Sequence, residues 1–349
     1  MSHEATVHCF TSASFAYLDR VRVLAKTLRK FHPDWKFWLC LSDREPEGFH
    51  FDLAEEDIDE VVHIGNLGID NLEGWIFEHN IVELCTAVKG KMLTYVLDQG
   101  AEKVVYLDPD IALFSALDEV VDLLDHNDVL LTPHQLEPDR KRSAIIDNEI
   151  GSLKYGIYNL GFVAVSNRPE GRKFASWWRD RLLDFCFDDV PGGLFTDQRW
   201  CDHVPSFFSN VHILKHPGYN VASWNLSRRI ITVDDEGVIR VNADQLRFFH
   251  FTKISWVGEI MLERYSNGKV EVFELIKWYK DQLNKASTVL PDNYWAFGTY
   301  SDGSKISQDH RTIYRSDPLL QKRFPNPFAE ASVGGELRTV FDQRISALS

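Results

Sequence analysis

Positive charge is in short supply: 38 Lys and Arg stand against 52 Asp and Glu, a formal net charge of −14. A field of that sign repels polyanions, which excludes nucleic acid as a partner and argues against adhesion to an anionic membrane by charge alone. A nucleotide is not excluded, because a bound divalent cation reverses the sign locally. Cysteine is also sparse. Cys9, Cys40, Cys85, Cys186 and Cys201 are scattered among apolar flanks with no C-x-x-C, so reduced, buried thiols are expected rather than a disulfide framework or a metal knot. No apolar run approaches the roughly 18 residues of a membrane span, so no integral membrane segment is expected. The opening Met1 to Thr6 lacks the basic and apolar stretches of a signal peptide, which points to a cytoplasmic protein, at most peripheral at the inner membrane face. Missing too are G-x-x-x-x-G-K-[ST], a G-x-G-x-x-G after the first strand, G-x-S-x-G and any internal repeat.

What is present is an ordinary globular composition, 349 residues with 44% hydrophobic and 26% charged. Aromatic content is 13%, with ten Trp, suited first to core filling and second to stacking on sugar rings. Thr6 to Phe10 reads as a strand ending in a polar turn at Thr11-Ser12. Leu18, Val21, Leu24, Ala25, Leu28 and Phe31 then form one helical face, stopped at His32-Pro33. Lys36 to Leu41 is a second strand, so the chain opens on a βαβ unit with a parallel sheet. Helices are expected over about Ile81 to Leu97, Pro169 to Phe185 and Val272 to Leu283. Strands are expected at Val61 to Ile64, Lys103 to Leu107, Asp128 to Thr132, Ile157 to Ser166 and Leu246 to Phe251, with a hairpin about Asp234 to Gly237. Residues 1–286 form the α/β domain. Residues 287–349, turn-rich and aromatic from Pro291 to Trp295, form an extension packed on it.

The centre of the chemistry is Asp108-Pro109-Asp110. Pro109 cannot donate to a ladder, so the strand ends there and leaves two carboxylates on a loop at its carboxyl edge. In open α/β sheets ligands bind at that edge, and two such carboxylates can reach one hard cation. Acidic chains also yield D-x-D by chance. His250, in Phe248-Phe249-His250-Phe251, is by itself a core histidine; paired with two carboxylates it completes a Mn²⁺ site. Thr196 reads as a helix cap, with Asp197-Gln198 either assisting it or lining a sugar pocket. Lys89 either binds a donor phosphate or stands in solvent. Arg140-Lys141-Arg142 is a solvated basic loop, unless it meets a phosphate beside the metal.

In this order the segments resemble the GT-A glycosyltransferases, particularly the retaining family 8 enzymes and their bacterial relatives acting on surface polysaccharides. The segments are Val88-Lys89, Val104 to Asp110, Tyr158-Asn159-Leu160-Gly161, Thr196-Asp197-Gln198, Gly218-Tyr219-Asn220 with Trp224-Asn225, and Phe249-His250-Phe251. The resemblance covers about residues 5 to 255 and implies a Rossmann-like GT-A fold with a mixed, mostly parallel sheet. It implies that Asp108, Asp110 and His250 hold Mn²⁺ (or Mg²⁺) against the diphosphate of a nucleotide-sugar donor, a UDP-sugar in the first instance. Thr11, Ser12 and Ala13 would hold base and ribose, with Lys89 and Lys253 at the phosphates. Asn159, Asp197 and Gln198 would face the transferred sugar. The acceptor would be a glycan or lipid-linked glycan, and transfer would retain anomeric configuration. One position departs from the family: the phosphate-binding Lys six residues after the metal His is replaced by Trp256. Two other classes are compatible with these residues, a sugar-nucleotide nucleotidyltransferase and a non-catalytic carbohydrate-binding scaffold.

Overall fold

The computed structural model describes residues 6–254, 256–287, 294–331 and 334–348, excluding the side chains of Trp256, Val257 and Leu348. Among the described residues fourteen strands are present: β1 Val7–Ala13, β2 Lys36–Leu41, β3 Glu60–His63, β4 Lys103–Leu107, β5 Ile111–Leu113, β6 Val129–Pro133, β7 Tyr158–Ser166, β8 Asp188–Asp189, β9 Leu194–Phe195, β10 Val211–Ile213, β11 Ile231–Val233, β12 Ile239–Val241, β13 Asp244–Gln245 and β14 Phe248–His250. Seven of them build the central sheet in the order β10-β6-β7-β4-β1-β2-β3. β7 alone runs antiparallel to its neighbours. The chain is therefore an α/β protein with a mostly parallel sheet flanked by helices.

Alternation along the strands divides the core in two. From β4, Val104 and Tyr106 join the cluster under α3 (Ile81–Asp98) and α7 (Pro169–Phe185). Val105 and Leu107 join the cluster on the opposite face under α1 (Leu18–Phe31). α1 buries Leu18, Val21, Leu24, Ala25 and Leu28, the stripe read from its periodicity, and closes where His32 N–H bonds Leu28 O. α3 starts on a capping box, Asn80 with Glu83. α3 and α7 approach closely because Gly90 lacks a Cβ, which would lie 2.5 Å from Arg179 Cα.

The last part of the chain is more helical than its composition suggests, with helices at Gln308–Arg315, Pro318–Arg323, Pro327–Glu330 and Glu336–Leu348. Tyr300, Tyr314, Phe328 and Phe341 pack against Phe77 in the core under α3, and Phe297 packs against Phe328. Pro291 to Asn293 lie outside the described residues. Four cysteines are buried, and Cys85, half-buried, has its thiol pushed up to about 12 by burial.

The first strand runs three residues further than expected: Thr11 and Ser12 belong to β1, which ends at Ala13. Polar side chains did not end it, because parallel pairing to β2 continues through Ala13 and Leu41. Nor does Thr196 cap a helix. It sits in the left-handed region at φ 44°, and the short 3₁₀ turn begins only at Arg199.

Candidate active site

Asp108 leaves β4 at the carboxyl edge of the sheet, with its N–H held by Gly161 O at 2.9 Å. The chain turns at Pro109 into β5, which pairs antiparallel with β14 and sets His250 opposite Ile111. That pairing brings His250 to the two carboxylates, far from it in sequence. The Asp108, Asp110 and His250 donor atoms all lie within 4.8 Å of one another. His250 Nε2 is 3.0 Å from Asp110 Oδ1 and 3.6 Å from Asp108 Oδ2. Burial opposes an imidazolium here, yet Asp110 and then Asp108 hold the His250 pKa above its ordinary value. Gly161 makes room for the ring, since a Cβ there would lie 2.4 Å from His250 Cε1.

The imidazole tautomer follows from a chain of amides anchored on the backbone. Gly161 N–H donates to Asn159 Oδ1 at 3.1 Å, which fixes that oxygen as the acceptor. Asn220 Nδ2 must then donate to Asn159 Oδ1 (3.0 Å), and it also donates to Thr132 Oγ1 (2.9 Å). Asn220 Oδ1 is left facing His250 Nδ1 at 3.3 Å, so Nδ1 carries the proton and Nε2 points at the carboxylates. Asn220 holds a left-handed backbone, φ 51°, to reach this place. On the far side Asn159 Nδ2 donates to Gln198 Oε1 and to His134 Nε2, both at 3.2 Å. Gln198 Nε2 donates to Tyr155 O at 2.8 Å.

Lys89 does not stand in solvent. It lies within α3, is 2% exposed, and its Nζ donates to Asp197 Oδ2 (2.8 Å), Asp108 Oδ1 (3.1 Å) and Leu160 O (3.2 Å). Burial works against its charge, but Asp108 and Asp197 keep its pKa well above the usual lysine value. Burial raises the Asp197 pKa, and Lys89 offsets that only in part. Thr196 Oγ1 donates to the other Asp197 oxygen at 3.1 Å.

The remaining sequence candidates are less convergent. Thr11 and Ser12 are adjacent in a strand and point to opposite sides of the sheet. Ser12 Oγ donates to Cys85 O at 2.6 Å, whereas Thr11 Oγ1 is buried with no hydrogen-bond partner among the described residues. Ala13 O accepts Ser42 N–H. Lys253 is exposed at φ 49°, and no hydrogen bond or ion pair joins it to the cluster among the described residues. The side chain of Trp256 lies outside the described residues.

Sequence reasoning overlooked His134 and Tyr106. His134 sits just past β6, and burial holds its pKa at about 4. Tyr106 OH donates to Asp108 Oδ1. A lone His after a proline and a strand Tyr carry no spacing signal, so only the fold reveals them.

No family model matches the chain. It is 25% identical over 189 residues to the uncharacterized protein YfnF of Bacillus subtilis (strain 168), and 27% identical over 181 residues to YfnD of the same organism. Each match takes in 51% of this chain, and the chain spans only 59% and 55% of the length of those relatives. Among solved structures, the galactosyltransferase LgtC in complex with donor and acceptor sugar analogs aligns with 82% of this chain and 98% of its own. The identity is 17% and the TM-score 0.49. The glycosyltransferase GlyE of Streptococcus pneumoniae TIGR4 covers 80% of this chain and 64% of its own, at 16% identity and a TM-score of 0.44. Mouse xyloside xylosyltransferase 1 covers 70% and 97%, at 11% and 0.43. No helix among the described residues is long and apolar enough to cross a membrane.

Proposed function

We propose that the chain is a metal-dependent glycosyltransferase that moves a sugar from a nucleoside diphosphate sugar, a UDP-sugar in the first instance, to a hydroxyl of a glycan or lipid-linked glycan. The observation that carries the reading is the convergence of Asp108, Asp110 and His250 within 4.8 Å, linked through Asn220 and Asn159 to Gln198. Two carboxylates and a neutral imidazole nitrogen suit Mn²⁺ or Mg²⁺. Bound there, the ion supplies Lewis-acid stabilisation of the charge that grows on a departing diphosphate. A nucleotidyltransferase site, the nearest rival, would present a basic, glycine-rich phosphate loop after β1, whereas the residues there are Ser14 and Phe15.

Each side chain then has a role its contacts support. Asn220 orients His250 through Nδ1, as outer partners of metal-bound histidines do. Lys89 holds Asp108 and Asp197 in register and adds positive charge beside the donor phosphates. Gln198 and Asn159 present polar groups to the transferred sugar. Both Asp197 oxygens are occupied, by Lys89 and by Thr196. So constrained a carboxylate is a poor nucleophile, which favours retention by same-face attack, the leaving phosphate taking the acceptor's proton, over a double displacement. We read residues 1–286 as the catalytic unit. Residues 287–349 are an extension locked to it where Arg311 donates to the carbonyls of Phe77 and His79.

The test is calorimetric titration of UDP, GDP, CDP and ADP, with Mn²⁺ or with EDTA, on wild type and Asp110→Ala. Tight binding of one nucleotide that vanishes with EDTA and in the variant is the expected result. Binding indifferent to both metal and Asp110 would sink the reading and move a carbohydrate-binding scaffold ahead.

A further inference from the structure

The segment between β6 and β7 carries a feature the proposed chemistry does not use. Residues 142 to 155 form a continuous helical run, Arg142–Ala144, a π-type stretch Ile145–Glu149, and Ile150–Tyr155. Ile146, Ile150 and Leu153, at i, i+4 and i+7, lie on one helical face and are 48%, 40% and 66% exposed. Tyr155 and Ile157 extend the exposed apolar surface to the start of β7. A soluble helix ordinarily turns such a stripe inward; here it faces out.

Charge on the same segment is sorted by pairing. The acids are partnered: Asp147 accepts from Arg264 and from Tyr265 OH, and Glu149 accepts Asp139 N–H. The bases Arg140, Lys141, Arg142 and Lys154 are exposed and form no ion pair among the described residues. In a chain of net charge −14, four unpaired cations around an apolar stripe are a local reversal of sign. Apolar stripe and basic flanks together are the makings of an interfacial helix.

Its position relates it to the site. β4 and β6 each run antiparallel to β7, so their carboxyl ends share one edge of the sheet. The helical run therefore emerges at the edge that holds Asp108. It is tied to the polar network where Gln198 Nε2 donates to Tyr155 O and Arg199 donates to Leu153 O.

We infer that this face docks on an anionic lipid bilayer, with Ile146, Ile150 and Leu153 inserted between headgroups and Arg140, Lys141, Arg142 and Lys154 on the phosphates. Net negative charge, which argues against membrane adhesion by the whole molecule, is overridden locally because screening confines the field to about 10 Å. The docking stands independently of catalysis. That it presents a lipid-linked acceptor to the site is the part that rests on the glycosyltransferase reading.

The experiment is co-sedimentation with vesicles of phosphatidylcholine, with and without phosphatidylglycerol. Three proteins are compared with wild type: Arg140→Glu/Lys141→Glu/Arg142→Glu, Ile146→Ser/Ile150→Ser/Leu153→Ser, and Leu319→Ser, an exposed apolar site elsewhere (77% exposed). Wild type and Leu319→Ser should bind the anionic vesicles at least about tenfold more tightly than the neutral ones, and each triple variant should lose about tenfold or more. Unchanged melting curves and unchanged calorimetric binding of Mn²⁺ with nucleotide separate this loss from misfolding and from failure of the proposed site; if a triple variant melts early, single Leu153→Ser, read the same way, takes its place. Absence of binding to anionic vesicles, or binding untouched by both triples, overturns the inference. So does a concentration-dependent dimer abolished by the apolar triple without vesicle binding, which makes the face a contact between copies.

Discussion

The two oxygens of Asp108 face different kinds of neighbour. Oδ1 takes Lys89 Nζ and Tyr106 OH, in a pocket where Lys89 is sealed from solvent and also bonded to Asp197. Oδ2 faces His250 Nε2 at 3.6 Å, too far for a good hydrogen bond, with Asp110 alongside. The first side is saturated and behaves as structure. The second keeps lone pairs in reserve and behaves as a receptor. One carboxylate thus joins a rigid clamp to a site with remaining valence, and the clamp lets the receptor stay aimed while unsatisfied.

If that division is real, mutations on the two sides should separate stability from binding. The largest effect belongs to Lys89→Met. It leaves the buried Asp197 and the half-buried Asp108 without their cation, and breaking a buried pair in this way costs about 3–5 kcal/mol. Chemical denaturation should show that loss; a loss under about 1 kcal/mol would mean the clamp is not structural. Asp110→Asn should do the opposite. Its stability should stay within about 1 kcal/mol of wild type, while Mn²⁺-supported nucleotide affinity falls about a hundredfold, close to 2.7 kcal/mol at 1.36 per decade. Equal loss of stability and binding in both variants would erase the distinction between the two sides.

Asn220→Ala sharpens the comparison on the receptor side alone. Without its Oδ1 the His250 ring is free to turn, and loss of an outer partner typically weakens a metal site by about 10–100-fold. Asn220→Asp should recover part of that affinity, because a carboxylate oxygen still accepts from Nδ1–H although the Nδ2 donation to Asn159 Oδ1 is lost. If alanine and aspartate behave alike, the tautomer argument from Gly161 through Asn159 is wrong.

The same contrast explains how much of the molecule was legible beforehand. Periodicity located α1, and the order of strands and helices gave the parallel sheet, because those patterns are imposed by burial along a single element. Asp108, Asp110 and His250 stood out as residue types suited to a hard metal, and β5–β14 pairing places them side by side. The clamp was not legible. Whether Lys89 is a surface cation or a buried tie depends on α3 packing over β4, which no local spacing encodes. Thr196 was misread for a similar reason: a polar residue before Asp and Gln looks like a cap, but the left-handed turn there serves to put Asp197 against Lys89. The basic, apolar-faced helix before Gly156 also escaped notice, since its exposed stripe reads in sequence like any buried one.

The smallest expected effect concerns two histidines that share one amide network but whose pKa values are shifted in opposite directions. Carboxylates keep the His250 pKa above its ordinary value, whereas burial holds that of His134 at about 4. The neutral state of His134 agrees with its contacts: Nε2 accepts from Asn159, so Nδ1–H must donate to Ile157 O at 3.2 Å. With a folded pKa below the unfolded 6.5, the unfolded chain binds the extra proton between about pH 6.5 and pH 4. Stability from this group is therefore fully present above pH 6.5 and is lost as pH falls through that window, at up to about 1.4 kcal/mol per pH unit. Other carboxylates add their own slopes, so the informative quantity is the difference between wild type and His134→Gln, which keeps an acceptor and a donor but cannot titrate. Urea denaturation at pH 7.5, 6 and 5 should show the variant losing less stability than wild type on acidification, by no more than one proton's worth. Identical slopes would place His134 in a solvated setting and detach it from the network around Asn159.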